Sequence, residues 1–157
     1  IREDPEAAKP TVHSLAAFMC TDLFIRLHQK ILADRPEMWL SANGSGGPDE
    51  EWYIGRDWDT WSRRELIDFY VPQLYTKDVN YFTKRAVEAR SCLHKSDLLT
   101  GMAIGWSSLK GKTQPPGVIA AEIAAARKLG AKGFVVFHGG LLTEEHCQAI
   151  HQAILEP

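Results

Sequence analysis

Four β-strand candidates recur along the chain at a step of about thirty residues, each followed by a helix-like stretch. They are Met38–Asn43, Phe69–Tyr75, Leu99–Trp106 and Gly133–Phe137. That step suits one βα unit of a parallel barrel, and a closed eight-stranded barrel needs roughly 250 residues. Four parallel strands cannot close, and they would leave two edges of unpaired backbone N–H and C=O groups. The expected fold is therefore α/β: the carboxyl-terminal half of a (β/α)8 TIM barrel, contributing barrel strands five to eight, each followed by a helix. Residues 1–157 form one incomplete domain, with 1–10 a loop after a missing fourth strand and 11–157 running from helix four to helix eight. Completion calls for an amino-terminal half-barrel chain or a second copy related by a two-fold axis.

Composition narrows the remaining classes. Hydrophobic residues are 45% and charged residues 24%, which fits a folded domain rather than a disordered segment. A net charge of −2 leaves no electrostatic footprint for nucleic acid. No apolar run nears the roughly 20 residues that span a bilayer, so neither nucleic acid nor membrane is expected as a partner. Cys20, Cys92 and Cys147 are odd in number, lack metal-type spacing and lie among apolar helical neighbours, so they read as small buried thiols.

The punctuation between elements is legible. Thr11–Ala33 repeats apolar residues at helical spacing and stops at Arg35-Pro36. Trp58–Leu66, Asp78–Leu93 and Val118–Leu129 follow as helices, the last stopped by Gly130. Thr143 caps a final amphipathic helix that runs to Leu155. The mainly apolar run Ile67–Tyr75 suits a strand buried on both faces. The long polar connection after the first strand is where barrel enzymes place functional loops.

Barrel active sites form at the carboxyl ends of strands, and those ends carry aromatics and amides rather than acids. Trp58, Tyr75 and Trp106 fall at or after strand ends and could stack on the C–H faces of sugar rings; the alternative for each is core packing. Trp61, on a short helix, reads as core. Gln73 and Tyr75 share one strand face at i, i+2 and could both point into the barrel mouth. Asn43 and His138 are polar strand tips suited to binding hydroxyls, although a buried, hydrogen-bonded His138 fits equally. Asp57 is the best acid: the neighbouring Trp58 could raise its pKa by desolvation, as a general acid requires. Its other reading is the N-cap of the Trp58–Leu66 helix. Asp68 begins a strand at the far end and reads as structural. His146, Cys147 and His151 lie on the final helix, outside the barrel and without a common face, so no metal is expected. Lys77 lies in a solvated turn and makes a poor Schiff-base lysine. The Gly44–Gly47 run fits no nucleotide fingerprint, and no cofactor is expected.

Several segments resemble the bacterial glycosyl-hydrolase-like barrels of the family-10 type. The matching pieces are Pro36-Glu37-Met38-Trp39-Leu40-Ser41, Asp57-Trp58-Asp59-Thr60-Trp61 and Asp68-Phe69-Tyr70-Val71-Pro72-Gln73-Leu74-Tyr75, with Gly105 and Gly133-Phe134-Val135-Val136-Phe137. The resemblance implies a glycan substrate, such as one of the cell wall, and a secreted or cell-envelope address. It also implies an acidic signature after the fourth barrel strand, of which Ile1-Arg2 looks like the tail; Arg2 then belongs to the substrate site. Glu3-Asp4-Pro5 departs from that signature. On this reading the principal acids lie in the amino-terminal half, and the isolated chain is inactive. The competing reading is a non-catalytic half-barrel that binds or assembles through its open edges.

Overall fold

The computed structural model describes residues 5–45, 54–105 and 112–155, with side chains from residue 12 onward. Helices and strands alternate: α1 (Pro5–Asp34), β1 (Ser41–Gly44), α2 (Trp58–Arg63), β2 (Phe69–Pro72), α3 (Val79–Ser91), β3 (Asp97–Ala103), α4 (Pro116–Lys128), β4 (Gly133–Phe137) and α5 (Glu144–Leu155). The strands pair in parallel in the order β1-β2-β3-β4, one sheet with a helix after every strand. The architecture is that of half a (β/α)8 barrel.

Local chemistry sets the element ends. Asp78 caps α3, its Oδ1 accepting from the Asn80 and Tyr81 N–H groups at 2.9 and 3.2 Å. Pro116 occupies the first position of α4, where its missing N–H costs nothing. Gly130, at φ 75°, supplies the left-handed residue that stops the same helix. The final helix starts at Thr143, whose Oγ1 accepts from the His146 N–H at 3.4 Å. Asp68 joins the amino ends of β1 and β2: its Oδ2 accepts from the Leu40 N–H and its own N–H donates to the Leu40 carbonyl, each at 2.7 Å. This is the structural role its sequence position implies.

Several expected boundaries move: β2 ends at Pro72 rather than Tyr75, and β3 runs from Asp97 to Ala103 rather than from Leu99 to Trp106. Residues 5–10 belong to α1 rather than to a leading loop: Pro5 suits a first helical position and Ala7 and Ala8 favour the helix. β1 begins at Ser41 rather than Met38 because pairing with β2 starts at Ser41–Phe69. Met38 and Trp39 stay exposed, with the Trp39 ring edge-on to Phe69 at 5.2 Å.

Strand alternation divides the sheet into two unlike faces. One face presents Ala42, Tyr70, Leu98, Thr100, Met102 and Ile104, all buried beneath the helices. It forms the core in two groups, one around Trp58, Trp61, Tyr70 and Leu98, the other around Phe82, Met102, Ile104, Ile119 and Ile123. The opposite, concave face presents Ser41 and Asn43, then Phe69, Val71 and Gln73, then Leu99, Gly101 and Ala103, then Gly133, Val135 and Phe137. Only Gly101 and Ala103 of that set are buried. The expectation that β2 is buried on both faces is therefore corrected: its concave face is open, as it must be where four strands line what eight would enclose.

Gly101 is required by the close approach of β2. A Cβ there would lie 2.7 Å from the Pro72 carbonyl oxygen, which no side chain tolerates without moving the strand. Of the cysteines, Cys20 and Cys92 are half-buried, while Cys147 is exposed on α5, contrary to its reading as a buried thiol.

Candidate functional site: the carboxyl end of the open sheet

Small residues on β3 let the side chains of its two neighbours meet. Gln73 pairs with Gly101, and Ala103 pairs with Phe137; Tyr75 lies two residues beyond Gln73, as Ala103 lies two beyond Gly101. The Tyr75 and Phe137 rings stack across this row, centroids 5.7 Å apart and planes 14° from parallel. Ala103, with no bulk to hold them apart, is 1% exposed. Phe137 remains 49% exposed, so the ring pair is a surface and not a core contact. The His138 ring stands edge-on to Phe137 at 5.3 Å.

Polar groups occupy the same end of the sheet, with Asn43 set back beside Val71, four residues before Tyr75. Asn43, Gln73 and His138 are all exposed at the carboxyl ends of their strands. Gln73 is anchored by its own N–H, which donates to the Gly44 carbonyl at 2.6 Å, leaving the side-chain amide at the surface. Burial pushes the Tyr75 phenol above its ordinary pKa, so it stays neutral and able to donate. Asn43 also lines a groove of about 510 Å³ between α1 and the sheet, with Cys20, Leu23, Phe24, Val71 and Val135.

The other sequence candidates lie elsewhere. Asp57 is the N-cap of α2, its Oδ1 accepting from the Thr60 N–H at 3.1 Å. Trp58 is 1% exposed and stacks on Tyr70 at 4.3 Å, which leaves no indole face open to a sugar. Trp61 is core, as its helix position implied. It stacks on Phe24 at 3.9 Å, and its Nε1–H donates to Thr21 Oγ1 at 2.8 Å. Trp106 and Arg2 lie outside the described residues. His138 takes the exposed alternative of its two readings. The structure thus links Tyr75 and His138 through Phe137, keeps Gln73 exposed two residues before Tyr75, sets Asn43 back beside Val71 and separates Trp58 from them.

Sequence reasoning missed Phe137. Part of the signal was available, because its parity on β4 matches Val135, but its place opposite Ala103 is set by the strand register. It also missed a buried polar cluster behind the sheet. Gln114 donates its N–H to the Ile104 carbonyl at 2.6 Å and its Nε2–H to Glu122 Oε2 at 3.1 Å. The Gln114 carbonyl lies 2.7 Å from His146 Nε2; a carbonyl only accepts, so that nitrogen carries the proton. Burial pushes Glu122 up to about 8, against the opposing Gln114 hydrogen bond. Its Oε1 and the Gln114 Oε1 have no partner among the described residues. Ile119, Glu122, Ile123 and Ala126 share the buried stripe of α4, and a lone acid on that stripe was the sequence signal.

Chemically, the strand ends offer two aromatic rings, two amides and an imidazole, an arrangement suited to binding a polyhydroxylated ring. None of the described strand-end residues is itself a carboxylate, the exposed Asp78 three residues past Tyr75 being the cap of α3, and no group of three His, Cys, Asp or Glu among the described residues could hold a metal ion. No described helix is long and apolar enough to cross a membrane. No protein-family model matches the chain, and no curated protein matches it significantly.

Proposed function

We propose that this chain is the glycan-binding half of a sugar-cleaving (β/α)8 barrel. The supporting observation is the Tyr75–Phe137 ring pair, with His138 against Phe137 and exposed Gln73 and Asn43 at the carboxyl ends of their strands, where barrels bind substrates. Sugar C–H faces stack on such rings while amide and imidazole groups pair with hydroxyls. The motif resemblance to family-10-type glycosyl-hydrolase-like barrels points the same way, toward an envelope glycan outside the cytoplasm. Glycoside hydrolysis needs two carboxyl groups about 5–9.5 Å apart, and on this reading the principal acids come from the complementary half. Ligand-detected NMR against a panel of oligosaccharides tests the binding claim. At least one glycan should bind wild type and lose binding in Tyr75→Ala; a panel that binds neither protein would refute it.

A second reading is favoured by one specific observation. Asp57, the best acid in the sequence, is engaged as a helix cap, so the described strand ends present no carboxylate pair. The chain would then be a non-catalytic half-barrel that binds or assembles through its open edges. Hydrolysis of the bound glycan by the 157-residue chain alone would exclude this reading.

A further inference from the structure

The exposed large apolar side chains are concentrated at the two ends of the fold. Leu15, Phe18, Met19 and Leu23 project from α1, with Trp39 just before β1. Val135 and Phe137 project from β4, and Ile154 and Leu155 from the end of α5. Among the described residues, β2, β3 and α4 expose none, and α3 exposes Tyr81 and Val87. Such surface is costly in water and marks an interface.

The two ends are complementary under one operation. Among the described residues all strands are parallel, and β1 and β4 each pair on one side only. Rotation by 180° about an axis along the strands keeps every strand direction. It sets β1 of one copy beside β4 of the other, twice, and gives eight strands, the number that closes a barrel. The same rotation carries the apolar end of α5 toward the apolar face of the other copy's α1. It also encloses the concave faces, with Val71, Val135 and Leu99 inside.

The groove along β1 marks the seam. It is lined by Cys20, Leu23 and Phe24 of α1 on one side and by Ser41, Asn43, Val71 and Val135 of the sheet on the other. α1 leans on α2 through the Phe24–Trp61 stack and the Thr21–Trp61 hydrogen bond, which leaves this gap open. An added strand at the β1 edge would satisfy backbone groups there while its side chains fill the groove. A net charge of −2 per copy opposes pairing only weakly.

We propose that the 157-residue chain on its own closes as a two-fold dimer, a second copy's β4 pairing in parallel with β1 at the α1 groove. This deepens the assembly reading above and rests on it. Native mass spectrometry should find a species of twice the 17.6 kDa chain mass at micromolar concentration. Phe18→Glu, at a side chain 69% exposed in the single chain, should shift it to monomer with an unchanged circular dichroism spectrum. Hydrogen exchange should slow in Ser41–Gly44 and Gly133–Phe137 as concentration rises. A monomer at all concentrations, a dimer whose β1 and β4 amides stay unprotected, or a complex only with an amino-terminal half-barrel polypeptide would each overturn the proposal. A closed dimer that binds no glycan would sink the carbohydrate reading alone, whereas a glycan-binding monomer would sink the closure alone.

Discussion

Tyr75 and Phe137 come from strands that are not neighbours, yet their rings stack 5.7 Å apart because Ala103 lies between them. The contact joins the end of β2 to the end of β4 and turns three strand tips into one surface. Its accessible side, with Phe137 half exposed, is what distinguishes this end of the sheet from its buried face.

Replacing Ala103 by Leu should therefore separate the two rings. Overpacking of this kind costs about 1–3 kcal/mol, so the midpoint of chemical denaturation should fall. If the strand ends bind a glycan as proposed, that binding should weaken with it, although no polar group at the mouth has been touched. Paired denaturation and titration experiments check this, and unchanged binding would detach the ring pair from the site.

Glu122 makes stability depend on pH in a stated direction. Its folded pKa of about 8 lies above the ordinary carboxyl value of 4.5 because burial disfavours the charged form. Between those values the folded state holds a proton that the unfolded state releases, so stability falls as pH rises. The contribution is fully present below about pH 4.5 and is lost through about pH 8, with a slope of at most about 1.4 kcal/mol per pH unit. Glu122→Gln should remove that slope, as urea denaturation of both proteins from pH 5 to 9 would show.

Ser62 organises the turn before β3. Its Oγ accepts from the backbone N–H groups of His94, Lys95 and Ser96 at 2.9, 3.2 and 3.2 Å, and the residue is 0% exposed. Ser62→Ala leaves these donors without that acceptor and should cost about 1–3 kcal/mol. Calorimetry would measure it; a loss under half a kcal/mol, about the noise of a surface change, would show that the turn finds other acceptors. Beside it, burial opposes ionisation of Asp59, but hydrogen bonds from Arg63 and His94 outweigh it and hold the carboxyl below its usual range.

Asp57 can be tested as cap and as acid separately, because Asn caps a helix about as well as Asp. Asp57→Asn should preserve stability, while Asp57→Ala should lose about 1 kcal/mol. In a barrel completed by its other half, a role as general acid requires Asp57→Asn to abolish cleavage; retained cleavage with lowered stability only in Asp57→Ala assigns the residue to α2.

The strand series was legible because its signals are local: apolar runs, the Asp78 and Thr143 caps, Pro116 and Gly130 each act within a few residues of themselves. That periodicity also implied the half-barrel, and β4 begins and ends at the expected residues Gly133 and Phe137. The site was legible only in part. Tyr75 and Gln73 could be placed by parity on their own strand, but the Tyr75–Phe137 contact depends on the size of a residue on a third strand. Trp58 read as a surface ring because a strand end lay nearby, whereas its burial is decided by Tyr70, across a helix–sheet interface. Glu122 escaped notice because its partner Gln114 comes from the connection after β3 rather than from its own helix.

The most direct measurement is a ¹H–¹⁵N NMR titration of the chain with the oligosaccharide that binds best. A glycan-binding mouth predicts saturable shifts at Asn43, Gln73, Tyr75 and His138, and none at Ser62 or Glu122. Shifts confined to other surfaces, or none at saturating sugar, would contradict it.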